Sequence, residues 1–578
     1  MKKNIVYIIA SLAVILSGCN FLDHEPDMRA TIDTQEKVRL LLVSAYPYGN
    51  AGPICEFSSD NIIDNNAPNA TGHTNSLNPL DQMYNEIFGW QPVVSSGYQD
   101  SPKYIWDAYY SAVATANQAL KAIAELETQG INMDAEKGEA LLCRAYAHFV
   151  LANVFCQAWK NDELSKNDLG ITYMTAPETT VAPHYERGTL YETYQHIEED
   201  LEAGLKLVSD EYYSVPKYHF NVKAAHAFAA RFYLYKREYD KVLEHADYVL
   251  GTTDETVLSS LYEAAAAYAL SDPDKELLQY WSNVKSASNL LLYTTLSQAF
   301  YTAITSYGRY QLNGDAFNDT FYSGGPCWSS LWRGFPMWMF SQEYGNFSAK
   351  FRAIFEYTDK VNGYGFLHGV TRAFTTNETL LCRAEAKVFL NDQQGAVNDL
   401  RLWAQGYQVN GCMDTLENGN VNLTLAKIQN FYTPSKSAGL VPVLHNTDMS
   451  PDFVVTDAQK PLIWCVLHFR RIETIHDGLR WQDLKRYGIE ITHKQGTTPL
   501  KTLVWNDDRR AIQLPQEVIQ SGMAANPREI LGDDTNSGGV MVPLQPGADS
   551  SEPQKTPNYL LTAGTPSMFT PTTNKNNN

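Results

Sequence analysis

Cysteine is sparse and shows no pairing pattern. Eight occur in 578 residues, and the seven after Cys19, at positions 55, 143, 156, 327, 382, 412 and 465, form no CxxC pair and no Cys/His cluster with zinc-type spacing. An odd number argues against a closed disulfide framework, and the spacing gives no support to a bound metal. Positive charge is short as well. With 45 Lys and Arg against 65 Asp and Glu, a net charge of −20, the chain lacks the basic footprint that a nucleic-acid partner requires. There is no P-loop, no GxGxxG, no GxSxG elbow and no HExxH. Nothing therefore points to a cofactor or to the enzymes those motifs mark. Beyond residue 16 no apolar run approaches the ~20 residues of a membrane-crossing helix.

What is present begins at the first residues. Lys2-Lys3 precede an apolar run from Ile5 to Leu16, and Leu16-Ser17-Gly18-Cys19 follows. The run is short for a bilayer span, and small residues before a cysteine read as a secretory signal over 1–18 ending in a lipobox. Cys19 then becomes the first residue of the mature protein, its thiol carrying diacylglycerol. Residues 19–33 are polar and read as a tether, so the expectation is a protein held on a membrane by lipid.

Length alone would allow about four domains, although helical repeat arrays exceed ordinary domain sizes. Apolar residues at helical spacing predict helices over 104–126 and 139–158, then 190–208, 222–235 and 239–250, then 378–390 and 395–403. These form helix hairpins. Glu139-Ala140-Leu141-Leu142-Cys143-Arg144-Ala145 recurs as Glu378-Thr379-Leu380-Leu381-Cys382-Arg383-Ala384, identical at six of seven positions. The segment from Ala229 to Asp240 has the small-residue and aromatic rhythm of a tetratricopeptide pair. The fold class expected is mainly α, a tetratricopeptide-like helical-pair scaffold over 104–250 and 378–403 carrying long irregular loops. Cys143 and Cys382 fall within apolar helical patterns and read as small buried hydrophobes. His148 and His226 read as core histidines, and the acid pairs Glu198-Glu199 and Asp507-Asp508 as solvated faces. Asp534, Asn536 and Gly538 only distantly resemble a calcium loop, without its bidentate acid.

Two aromatic clusters sit in the irregular stretches 50–100 and 305–370: Tyr84, Phe88, Trp90 and Tyr98, and Tyr322, Trp328, Trp332, Trp338 and Tyr344. Each is interleaved with glycine, amide and hydroxyl residues. Flat rings cover C–H surface at low entropic cost, so Tyr84, Trp90, Tyr98, Tyr322, Trp328, Trp332 and Trp338 are the candidate ligand contacts. The competing reading is that these rings plug gaps between loop and scaffold.

The sharper signal lies near the carboxy terminus. Phe469-Arg470-Arg471-Ile472-Glu473, Asp477 through Tyr487, Asp508-Arg509-Arg510, Leu514-Pro515-Gln516-Glu517 and Asn526-Pro527 resemble the signature of the SusD/RagB family. Cys19 with Phe21-Leu22-Asp23, Trp106 through Tyr110, and the two Leu-Leu-Cys-Arg-Ala helices also look like family positions. The chain departs from the family's usual Gly-Tyr ending at Arg528-Glu529-Ile530-Leu531. The resemblance implies one SusD-like domain over 34–578, with the signature at 462–530, in a surface-exposed outer-membrane lipoprotein of Bacteroidetes type. It implies a non-catalytic role: capture of oligosaccharides, or of peptides, and delivery to a SusC-like TonB-dependent transporter. The signature arginines and acids are expected to be structural. The rival readings are a surface glycoside hydrolase, which needs two carboxylates about 5–10 Å apart, and a purely structural adaptor.

Overall fold

The computed structural model describes residues 31–65, 81–94, 99–180, 184–251, 281–297, 309–312, 314–331, 337–339, 346–348, 354–408, 412–496 and 498–528. Cys19, Tyr98, Trp332, Tyr344, the Asp534 to Gly538 segment and the tail beyond 528 lie outside them. The principal helices are α1 (Gln35–Leu42), α2 (Gly52–Ser58), α3 (Asp81–Phe88), α4 (Pro102–Glu127), α5 (Asp134–Phe155), α6 (Leu190–Leu207), α7 (Val222–Lys236) and α8 (Tyr239–Leu250). After a strand-rich middle come α9 (Thr376–Phe389), α10 (Gln393–Gly406), α11 (Lys460–Glu473) and α12 (Leu479–Arg486). The strands are β1 (Ile63–Asp64), β2 (Asn289–Thr295), β3 (Tyr310–Gln311), β4 (Met337–Met339), β5 (Asn346–Ser348), β6 (Ile354–Asp359), β7 (Tyr364–Thr375), β8 (Ile491–Gln495) and β9 (Thr498–Leu503).

Local chemistry explains where the helices start. Ser101, Asn221, Thr375 and Asp392 each accept a backbone N–H from the first turn of α4, α7, α9 and α10, and Thr189 with Glu192 closes a full capping box on α6. Neighbouring helices then pack in sequence: α4 on α5, α5 on α6, α7 on α8, α8 on α9, α9 on α10. This is the predicted succession of hairpins, with ends shifted by a few residues. The helical, tetratricopeptide-like scaffold is therefore as expected.

The repeated heptapeptide has a repeated job. Arg144 on α5 grips Asp200 on α6 through Nε and Nη2 at 2.6 and 2.7 Å. Arg383 on α9 grips Asp399 on α10 in the same two-pronged way, at 3.0 and 2.8 Å. In each hairpin a buried fork locks the first helix to the second. The middle hairpin uses its arginine differently, since Arg231 on α7 reaches Glu378 on α9 at 3.2 Å and so ties one pair to the next.

Between α8 and α9, β2, β7 and β6 form a three-stranded antiparallel sheet. A second sheet, in the order β3-β1-β8-β9, gathers three distant parts of the chain. Its β1 pairs antiparallel with β3 and parallel with β8, bringing the first irregular stretch beside the second. All seven cysteines after Cys19 are free and buried.

Candidate functional site

The first aromatic cluster packs on this second sheet and Trp328 of the second on α11, and the described rings divide into two classes. Tyr84 is fully buried, stacked on Phe57 with centroids 4.7 Å apart and edge-on to Tyr310. Trp90 is buried too. Its Nε1 donates to the Ser58 carbonyl at 3.0 Å, and its ring, with that of Phe88, sandwiches His493 from β8 at 4.1 and 3.9 Å. Trp328 lies 5.3 Å from Phe469 of α11 and 5.5 Å from His468. Gly325 covers its indole so closely that an added Cβ would fall 2.1 Å from a ring carbon. The expectation that Tyr84, Trp90 and Trp328 form an open stacking surface is thus corrected: their faces are occupied by protein, and they anchor the loops to the scaffold. Trp338 sits on β4 opposite Phe347 of β5.

Tyr322 differs. It is 54 % exposed, on the last turn of a short irregular helix at residues 314–322, with Phe317 6.3 Å behind it. Around it Asn318, Ser323, Gly324 and Ser329 are exposed, and Asp315 at the start of the turn pairs with Lys494 of β8. This rim of one open ring among amide and hydroxyl groups was only partly foreseen. Tyr322 was named from the sequence, whereas Asn318 and Ser329 were not, and their only signal was proximity to that ring.

The rim stands on the signature helices. Burial pushes the His468 imidazole down to about 3, so the ring is neutral. Its Nε2 donates to the Asp319 carbonyl at 2.8 Å, and its Nδ1 accepts from the Tyr432 hydroxyl at 2.8 Å. One histidine therefore pins the 314–322 turn to α11. Gly478, left-handed at φ 80°, lets the chain turn from α11 into α12 against Gly52, where a Cβ would approach the backbone to 2.7 Å.

The signature's charges are internal. Arg470 pairs with Asp483 at 2.9 Å, Arg486 with Glu385 at 2.8 Å, and Arg480 takes both oxygens of Asp60 at 2.8 Å. Burial alone would raise Asp60, yet the Arg471 and Arg480 guanidiniums outweigh it and hold the carboxyl well below its ordinary value. Asp507 is buried as well, bonded by the Arg509 guanidinium at 2.7 Å, and Glu198 lies between Lys236 and Lys241. Neither is part of a solvated acidic face, which corrects that reading for both. His148 is a satisfied core histidine, accepting from the Met174 N–H at 3.1 Å, while His226 is only half-buried against His245 and Tyr248. Among the described residues no group of His, Cys, Asp and Glu is arranged to hold a metal, and no helix is long and apolar enough to cross a membrane.

Residues 20–234 match the sequence model of the SusD-like_3 family, described as starch-binding and associating with the outer membrane. Over those residues the chain is SusD-like in sequence. Solved structures share the fold across most of its length. A protein from Bacteroides vulgatus ATCC 8482 named for sugar binding aligns at 17% identity, covering 86% of this chain and 99% of its own, with a TM-score of 0.59. A SusD superfamily protein from Bacteroides thetaiotaomicron VPI-5482 aligns at 16% identity over 86% and 100%, with a TM-score of 0.54. A second one from Bacteroides vulgatus reaches 20% identity over 85% and 97%, also at 0.54. No curated protein matches the chain in sequence. The signature's charges join α9, α11 and α12 inside the fold.

Proposed function

We propose that this SusD-like protein is a non-catalytic, cell-surface lipoprotein that captures oligosaccharides and hands them to a SusC-like TonB-dependent transporter. The observation that carries the proposal is the rim itself. An open tyrosine ring stands on a turn that also exposes Asn318 and Ser323, with Ser329 exposed seven residues on, and His468 fixes that turn from beneath. Such a surface suits a neutral polyhydroxylated ligand, whose C–H face covers the ring while its hydroxyls meet amide and hydroxyl groups. Tyr98, Trp332 and Trp338 extend the candidate contacts, and Cys19 supplies the lipid anchor. Modest affinity suffices for such a task, because holding the binding protein against the channel makes transfer intramolecular.

Calorimetry against mixed glycans and mixed peptides tests the ligand class. Saturable glycan binding that Tyr322→Ala weakens about 2- to 10-fold, the share of one stacking ring, is the expected result. Tight peptide binding without a glycan response would transfer the same role to peptides. Glycan hydrolysis abolished by one Asp or Glu substitution would make the protein a glycosidase instead.

A further inference from the structure

Helix α4 borders a cleft that shares no residue with the rim. Between it and residues 172–178 with Tyr185 lies a cavity of about 530 Å³, within the range of small-ligand sites. Trp106, Tyr110 and Tyr185 give it ring surface, and Met174, Pro177 and Met523 give it aliphatic surface. Asp107, Ser111, Gln118 and Glu178 supply polar ends.

The wall facing α4 is fixed by protein contacts alone. The Tyr110 hydroxyl donates to the Thr172 carbonyl at 2.8 Å, and Asn117 donates to the Met174 carbonyl at 2.9 Å. Asn117 is itself held, its Oδ1 accepting at 2.8 Å from the same Arg144 that grips Asp200. Tyr173 stacks on His148 with centroids 3.8 Å apart. A cleft assembled this way loses little freedom when a ligand arrives.

Its chemistry selects among ligands. No Lys or Arg lines it, and its two charged side chains, Asp107 and Glu178, are both acids. Lys103, one turn back on α4, pairs with Asp107, so the uncompensated charge at the cleft is that of Glu178, and it disfavours an anionic ligand. An extended peptide finds no free ladder, because one wall is a helix and the Thr172 and Met174 carbonyls of the other are already bonded. Among the described residues, the side chains of Ser111 and Gln118 have no hydrogen-bond partner. Ring and aliphatic surface facing hydroxyl, amide and carboxylate groups suits a sugar, which presents C–H faces and donor hydroxyls together.

The geometry points to a second saccharide site in the cleft between α4 and residues 172–178 with Tyr185, taking short uncharged sugars in preference to uronic or sulfated ones. It shares a ligand class with the proposal above and rests on different residues. Calorimetry of the mature protein with maltotriose, cellotriose, xylotriose and mannotriose, and with trigalacturonic acid as the charged counterpart, tests it. Ala114 is exposed on α4 and lines the cleft, so Ala114→Trp fills it from a position that folding does not need. At least one neutral trisaccharide is expected to bind in an event that Ala114→Trp weakens about tenfold or more and Tyr322→Ala leaves intact, with trigalacturonic acid about tenfold weaker. Gln118→Leu, a smaller change, is expected to weaken the same event about threefold and keeps the test open should Ala114→Trp misfold. Neutral binding indifferent to both variants, no neutral binding, or a preference for trigalacturonic acid would overturn the site. Binding that emerges only after residues 529–578 are removed would also overturn it, by making the tail the occupant. Loss through Tyr322→Ala alone removes the cleft and keeps the rim, and loss through Ala114→Trp alone does the reverse.

Discussion

The two helices that share the sequence Leu-Leu-Cys-Arg-Ala use one end of it alike and the other end differently. At the arginine end both make a forked pair to an aspartate on the following helix, Arg144 to Asp200 and Arg383 to Asp399. At the glutamate end they diverge. Glu139 is buried among neutral donors, the hydroxyls of Tyr46 and Tyr212, with the His219 ring 2.8 Å away. Glu378 is buried among cations, with Arg231 and Arg470 at 3.2 and 3.5 Å. In these two helices the arginine thus serves closure onto the following helix. The glutamate serves whatever the next part of the fold brings to it, and for α9 that is the charged signature of α11.

The largest expected effect follows from that asymmetry. Glu378→Gln leaves Arg231 and Arg470 short of an anion in a dry interior and should cost about 3 kcal/mol or more in chemical denaturation. The pH dependence has a fixed sign. Burial alone would raise the Glu378 carboxyl, but Arg231 and Arg470 hold it below its ordinary value of 4.5. Its stabilisation is therefore complete above that value and lost as pH falls through the depressed one, and Glu378→Gln should flatten the acid limb of the stability curve. An unchanged acid limb would show that these cations do not govern α9.

The forks themselves come next, and they should not be equal. Arg383→Met leaves Asp399 with Lys387 at 2.8 Å, whereas Arg144→Met leaves Asp200 with the Tyr173 hydroxyl and, among the described residues, no cation. Arg144→Met should cost about 3 kcal/mol and Arg383→Met about 2 kcal/mol by urea titration. The reverse order would break the comparison. Glu139→Gln disturbs the hydrogen bonds from the Tyr46 and Tyr212 hydroxyls, with no guanidinium left unpaired, and should cost only about 1 kcal/mol. At the small end, Tyr322→Ala should leave the unfolding free energy within about 0.5 kcal/mol of the parent in urea titration, since its ring is half exposed.

The scaffold was legible because a helix with one buried face writes a period into the sequence, and caps such as Thr189 with Glu192 mark its ends. The heptapeptide repeat was legible too, although its meaning was not: nothing near Glu378 in sequence announces Arg231 or Arg470. The aromatic rings were the hardest to read. Trp90 and Trp328 lie on segments without a period, so no pattern assigns them a face, and Tyr84 lies on the two-turn helix α3, too short to stand out within an irregular stretch. What buries them is a sheet joining residues 63–64, 310–311 and 491–503, and a helix 140 residues onward. Tyr322 lies in the same kind of segment and stays open. Local composition is alike on both sides of that divide, and long-range pairing draws it.

Carbohydrate capture without turnover is the central claim, and calorimetry of the purified mature protein with defined neutral oligosaccharides, followed by product analysis of the same samples, tests it most directly. The account predicts saturable binding, weakened by Tyr322→Ala without loss of fold, and sugars recovered intact. Failure of every oligosaccharide to bind while peptides do, or recovery of cleaved sugar, would contradict it.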